Sequence, residues 1–219
     1  MLDNPPKWAY ALFQTKRSEM SVMTKGDQTK EMILHQAAQV FNRRGFFGSA
    51  MSDIMDVTGL EKGGIYNHFT SKEDLALQAF DYAVDVLRQE IKNATADKKN
   101  AADRLIGLIG FYQRAAEGYP FPGGCPVMNT AIEADDTQPA LCERAKAAMA
   151  EWHQFIRRII QRGKEKGEIK AEVDGEMLAS VFISVMEGAI MQSRLYGNLR
   201  PMNRAVEYLT GYLEREVRA

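Results

Sequence analysis

From Lys30 onward the apolar residues of this chain return every three or four positions, and no segment alternates with period two. That regularity points to packed helices, because a half-buried strand would alternate. Ile33, Ala37, Val40 and Phe41 recur at i, i+4, i+7 and i+8 and predict a helix running from Lys30 to a stop at Gly45. Shorter elements are expected over Met51–Thr58 and Lys62–Phe69. A long helix follows, with Ser71 as cap, Glu73 and Asp74 in the first turn, and a stripe of Ala76, Phe80, Ala83, Leu87 and Ile91. Residues 101–117, 126–134, 139–166, 174–196 and 202–217 carry the same spacing, which predicts an all-α class of about nine helices. Gly118, Tyr119, Pro120, Phe121, Pro122, Gly123 and Gly124 form the strongest interruption in the chain.

Charge narrows the partners. The 219 residues carry 28 Lys/Arg against 29 Asp/Glu, a net charge of −1, so bulk attraction to a polyanion is excluded and any nucleic-acid role must be local. Residues 1–72 hold nine basic and seven acidic side chains and are mildly basic at +2, while residues 73–219 sum to −3. Two cysteines, Cys125 and Cys142, make neither a disulfide framework nor a C-x-x-C pair, and a cytoplasmic location is expected. The longest apolar stretch, Met177 to Met191, is cut by Glu187 and is too short for a membrane span. Residues 1–23 lack a sustained period and are expected to form a disordered or loosely docked extension, with Met20 and Met23 leaving a downstream start open. The signatures of serine hydrolases, P-loop and dinucleotide-binding enzymes and zinc proteases are missing, so neither catalysis nor a cofactor is expected. His35 and His153 have no second imidazole one turn away, and no metal site is expected.

The segment from Met51 to Phe69 has the form of two short helices joined at Gly59, the arrangement that lays one helix across the DNA backbone and sets the next in the major groove. Ile54, Leu60 and Ile65 would pack the pair together, leaving Lys62, Gly63, Gly64, Tyr66, Asn67 and His68 on the outer side. Lys62 suits a phosphate or a guanine edge, the glycines allow close backbone approach, Tyr66, His68 and Lys72 can donate to phosphate oxygens, and Asn67 can read a base. A glycine pair weakens a helix by about 1 kcal/mol per residue relative to Ala, a cost tolerated where a neighbouring surface requires it. The same residues would also make a plain surface hairpin.

From Thr58 to Leu75 the sequence closely resembles the helix-turn-helix of the tetracycline-repressor (TetR/AcrR) family of bacterial transcription regulators, with Gly59, Lys62, Gly63, Tyr66, Phe69, Lys72 and Leu75 all matching. Beyond the extension over 1–23, the resemblance implies a DNA-binding domain over 24–72 and a ligand-binding and dimerisation domain over 73–219. It implies a homodimeric repressor, released from a palindromic operator on double-stranded DNA by a small-molecule effector, with the last two helices pairing between subunits. Lys62, Gly63, Gly64, Tyr66, Asn67 and His68 would contact DNA, Lys72 its backbone, and the helix from Lys72 to Ile91 would be the lever joining both halves. Many members open the first motif helix with Thr or Ser where this chain has Ala50 and Met51, so the cap and phosphate contact fall to Ser49 or Ser52. Met55 stands where a small alanine is common.

Further along, the stretch from Phe121 to Asp136 resembles a segment of one branch of these regulators and names no ligand. Phe111, Cys125, Met128, Trp152, Phe155, Phe182, Met186 and Glu187 are candidates to line a ligand pocket, with core packing as the plain alternative. Tyr112 and Met191 are similar. Cys125 reads either as a redox or electrophile sensor at a helix start or as a small buried hydrophobe. Glu187 interrupts an apolar helix and therefore faces solvent, pairs across a dimer, or meets a polar ligand group. The competing class is a helical ligand-binding dimer that acts through a protein partner.

Overall fold

The computed structural model describes residues 24–219. The extension expected over residues 1–23 lies outside them. Nine α-helices form among the described residues: α1 (Lys25–Arg44), α2 (Met51–Thr58), α3 (Lys62–Tyr66), α4 (Lys72–Ala96), α5 (Ala101–Ala116), α6 (Pro126–Ala134), α7 (Pro139–Glu165), α8 (Gly175–Leu195) and α9 (Arg200–Tyr212). A π-turn over Leu213–Val217 finishes the last helix and buries Leu213 and Val217. The first three helices make a helix-turn-helix unit and the rest a helical bundle.

Local chemistry sets most boundaries. Thr24 caps α1 by accepting the Asp27 N–H, which starts the helix at Lys25, five residues before the start at Lys30 that the apolar spacing predicts. Ser71 does the same for α4 through Asp74, whose carboxylate in turn accepts the Thr70 N–H at 2.9 Å. Asp174 caps α8 through the N–H groups of Glu176 and Met177. The second motif helix was expected to reach Phe69 but ends at Tyr66, with Asn67 and His68 in a turn. That turn drops the Phe69 ring into the core, where it is 2% exposed, and frees the chain to enter α4 through an extended Ser71.

α4 spans both halves. Its 25 residues, about 37 Å at 1.5 Å per residue, pack on α1 at one end and on α5 and α7 further along. Leu75, Ala79, Phe80, Ala83, Leu87 and Ile91 carry that packing. Two ion pairs tie its outer face to α7: Arg88 grips Glu151 in a bidentate pair at 2.7 and 2.8 Å, and Arg144 meets Asp81. Both are partly exposed and add orientation more than stability. No helix among the described residues is long and apolar enough to cross a membrane, and no group of three or more His, Cys, Asp or Glu side chains among them is placed to hold a metal ion.

Candidate DNA-binding surface and effector cavity

The helix-turn-helix is built around Gly59. Its φ of 67° lies in the left-handed region, which a side chain would resist, and its N–H closes α2 on the Met55 carbonyl at 2.8 Å. Thr58 helps by donating its hydroxyl to the Ile54 carbonyl at 2.7 Å. Ile54 and Ile65, both 0% exposed, clamp α2 to α3.

With those residues inward, Lys62, Gly63, Tyr66 and Asn67 are exposed, while Gly64 and His68 are half-buried. The Lys62 ammonium lies over the Tyr66 ring at 5.7 Å, so both heads sit on one ridge. A Cβ added at Gly63 would meet nothing within 4 Å, and at Gly64 only the Leu60 side chain at ordinary contact distance. Nothing inside the protein therefore requires glycine there. Any requirement comes from an outside surface that approaches the backbone.

One sequence expectation is corrected here. Ser49 was expected as a cap and phosphate contact, but it is buried and donates its hydroxyl to the Gly45 carbonyl at 2.5 Å. The cap position belongs to Ala50, and Asp53 supplies the acceptor by taking the Ala50 N–H at 2.7 Å. That bond, with the Arg44 guanidinium beside it, holds the Asp53 carboxyl below the usual range. Ser52 is exposed in the first turn of α2. Lys72 is half-buried, donating to the Phe46 carbonyl at 2.5 Å and lying 4.2 Å from the centre of the Phe46 ring.

Contacts that the sequence reading missed join this unit to the bundle. Glu133, in the last turn of α6, accepts the N–H groups of Phe46 and Phe47 at 3.0 Å each. Both belong to the turn between α1 and α2. Gly45 opens that turn at φ 76°, and a Cβ there would strike the Glu133 carboxylate at 2.5 Å. Asn42 of α1 donates to the carbonyls of Pro122 and Gly124, while Asn129 of α6 donates to Asn42 and Gly123. Apart from the local Asn129–Gly123 bond, these partners lie 80 to 87 residues apart, and no local pattern announces them.

Behind the Gly123–Gly124 loop lies a small cavity with about 10 Å³ of free volume, room for one water at most. Phe111, Cys125, Trp152 and Glu187 line it as expected, together with Tyr112 and the unanticipated Tyr119. Met128, Phe155, Phe182 and Met186 do not line it. Phe182 and Met186, at 0% exposure, are core, and Phe182 packs edge-on to Tyr112 with ring centres 6.1 Å apart. Met191 faces outward.

Glu187 is 6% exposed, and neither carboxylate oxygen accepts a hydrogen bond from an N–H or O–H group. Burial pushes its pKa up to about 7, opposed only by the weak donor thiol of Cys125. The same burial, with Glu187 alongside, drives the Cys125 thiol up, the reverse of what a reactive thiolate needs. Tyr112 is raised for the same reasons.

Comparison with known proteins agrees with this architecture. Residues 33–79 match the family described as bacterial regulatory proteins, tetR family, and residues 101–209 match the tetracyclin repressor-like C-terminal domain. A TetR transcriptional regulator from Chloroflexus aurantiacus J-10-FL is 46% identical, with a TM-score of 0.86 over 90% of this chain and 99% of its own. A TetR family regulator from Cytophaga hutchinsonii is 32% identical, with a TM-score of 0.81 over 88% of this chain and 96% of its own. The HTH-type transcriptional repressor DhaR of Mycobacterium sp. (strain GP1) is 25% identical over 80% of this chain and 87% of its own. With the hairpin, the bundle and these matches in agreement, the chain belongs to the TetR family of DNA-binding, helix-turn-helix transcriptional regulators.

Proposed function

We propose that this regulator is a cytoplasmic repressor that binds a palindromic operator as a homodimer and leaves it when a small molecule occupies the bundle. The observation that carries the reading is the Lys62–Asn67 ridge, with glycines that the protein's own packing does not require. α3 enters the major groove, Lys62 and Tyr66 take phosphate oxygens or a guanine edge, and Asn67 reads a base. Ser52, His68 and Lys72 contribute from the flanks. Repression is supported by the relative named DhaR, itself called a repressor.

The dimer is supported by the outer face of α8, where Met177, Val181, Met191 and Leu195 form an exposed apolar stripe at helical spacing, 71% exposed at Leu195. Tyr196 and, on α9, Tyr208 extend it, beside an open groove lined by Ser184, Gly188, Gln192 and Arg204. A soluble monomer rarely leaves such a patch uncovered, and a second copy of α8 and α9 matches it. Two α3 helices then sit about 34–36 Å apart, or at a related spacing, on successive turns of the duplex.

Release requires an effector that favours a dimer with wrongly spaced recognition helices, since equal affinity for both states shifts nothing. α4, which spans both halves, and the Glu133 contact are the routes by which the bundle can move them. Enrichment of a random duplex library on the purified protein, with Tyr66→Ala beside it, tests the reading. A palindromic consensus lost in the variant is the expected result. A folded dimer that enriches no sequence at any salt concentration overturns it.

A further inference from the structure

Among the described residues of the bundle, one buried carboxylate has no N–H or O–H donor. Glu187 sits in the middle of the apolar helix α8, buried and lining the cavity, with only the weakly donating Cys125 thiol beside its carboxylate oxygens. A buried carboxylate without donors is costly, and proteins seldom keep one unless something supplies them.

The surroundings define what that supplier must be. Trp152, Phe111 and Tyr112 give aromatic and apolar wall, and Leu87, Ala115 and Ile190 complete it. The titratable side chains lining the cavity, Tyr112, Tyr119, Cys125 and Glu187, are all acids and all are raised. Tyr119 is hydrogen-bonded to a further acid, Glu90 of α4. The neighbouring cations stay outside. Arg114 lies over the outer Tyr119 ring at 5.8 Å, and Arg194 borders Gly124 and is exposed. α7 contributes Trp152, while its Glu151 is already paired with Arg88. The site disfavours every negative charge it holds and lacks a positive one.

We propose that this cavity is the effector site and that it selects a small organic monocation bearing at least one N–H, an alkyl- or arylammonium, whose N–H groups bind Glu187 while its carbon body lies on Trp152, Phe111 and Tyr112. The assignment rests on the reading of the bundle as the effector-binding half. The N–H requirement follows from two carboxylate oxygens that need donors, and the aromatic wall adds cation–π attraction. The present free volume of about 10 Å³ admits no such molecule, so its entry must displace part of the wall. The polar-poor loop Pro120–Pro126 and the start of α6 form one side of that wall, and α6 carries Glu133 at its other end.

The test uses the full chain with Trp8→Phe, which leaves Trp152 as the sole tryptophan of the two. Benzylammonium, benzyl alcohol and benzoate are titrated against Trp152 fluorescence and against thermal stability, at pH 6 and pH 8. Benzylammonium is expected to saturate, with the alcohol and the carboxylate at least tenfold weaker. Its Kd should tighten about tenfold from pH 6 to pH 8, as a carboxyl with pKa about 7 ionises, and level off above. Glu187→Gln should bind at least tenfold more weakly and lose that pH dependence. Equal binding of benzyl alcohol, preference for benzoate, or no saturation by any probe in the folded wild-type chain overturns the proposal without recourse to the variant. The duplex enrichment is read separately, so loss of the cation site and loss of DNA binding are distinguishable.

Discussion

Gly63 and Glu187 lie in opposite halves of the molecule and break the rules of folding in opposite ways. The recognition helix spends stability outward: a glycine weakens α3, although its missing side chain would have met only solvent. The cavity spends it inward, keeping a carboxyl with no N–H or O–H donor where a leucine would pack. Neither residue is explained by the contacts around it. Where a residue costs stability and the fold does not require it, the requirement is sought in a partner, DNA on the outside and a ligand within.

Glu187→Gln breaks the comparison hardest. Glu187 has a folded pKa of about 7 against an ordinary 4.5. Its contribution to stability is therefore fully present below the unfolded value and lost as pH rises through about 7. At pH 8 the glutamine variant is expected to be more stable than wild type by on the order of 3 kcal/mol, with the two converging near pH 4. Urea unfolding at both pH values measures it, and a parallel decline in both proteins would place the titration elsewhere. Glu133→Ala should cost about 2 kcal/mol, because two N–H groups lose a charged acceptor. Its duplex affinity should fall as well, and unchanged affinity would show that the α6 contact does not set the pose of the recognition unit.

Smaller effects sharpen the outward side. Tyr66→Ala should lower duplex affinity about tenfold, a loss of about 1.4 kcal/mol, while leaving the unfolding midpoint nearly unchanged. Gly63→Ala should move the two readouts in opposite directions. Stability should rise by up to about 1 kcal/mol while DNA binding weakens, whereas a variant that gains stability and still binds would end the argument from the open Cβ direction. Lys62→Ala should reduce the slope of log affinity against log salt by about one if Lys62 neutralises a phosphate. A constant slope with relaxed sequence preference would make it a base reader.

The helices were legible in the sequence because apolar spacing, cap residues and glycine stops each report on local backbone, and local backbone is most of an all-α fold. The start of α1 was missed because residues 25–29 are polar, and only the Thr24 cap marks it. Ser49 misled because its side chain suits a cap, while the carbonyl it uses sits four residues back, at Gly45. In the bundle, periodicity separated buried from exposed faces but could not say which buried residue borders empty space. Phe182 and Phe111 look alike in sequence, yet only Phe111 reaches the cavity. Glu187 was visible as a charge in an apolar run. Glu133 was not, since a glutamate in the last turn of a short helix is unremarkable until its partners, 86 and 87 residues earlier in the chain, are known.

The carboxylate of Glu133 also places a clock on the molecule. Phe47 has an exposed side chain in a surface turn, and amides in such turns ordinarily trade their hydrogens with solvent quickly. The amide hydrogens of Phe46 and Phe47 are held by an acceptor on a different helix, so they exchange only when α6 and that turn separate. Deuterium uptake at these two positions thus measures the opening free energy of a single contact between the two halves, well below the cost of unfolding either. An effector that works through α6 will speed that uptake before it changes anything at α3.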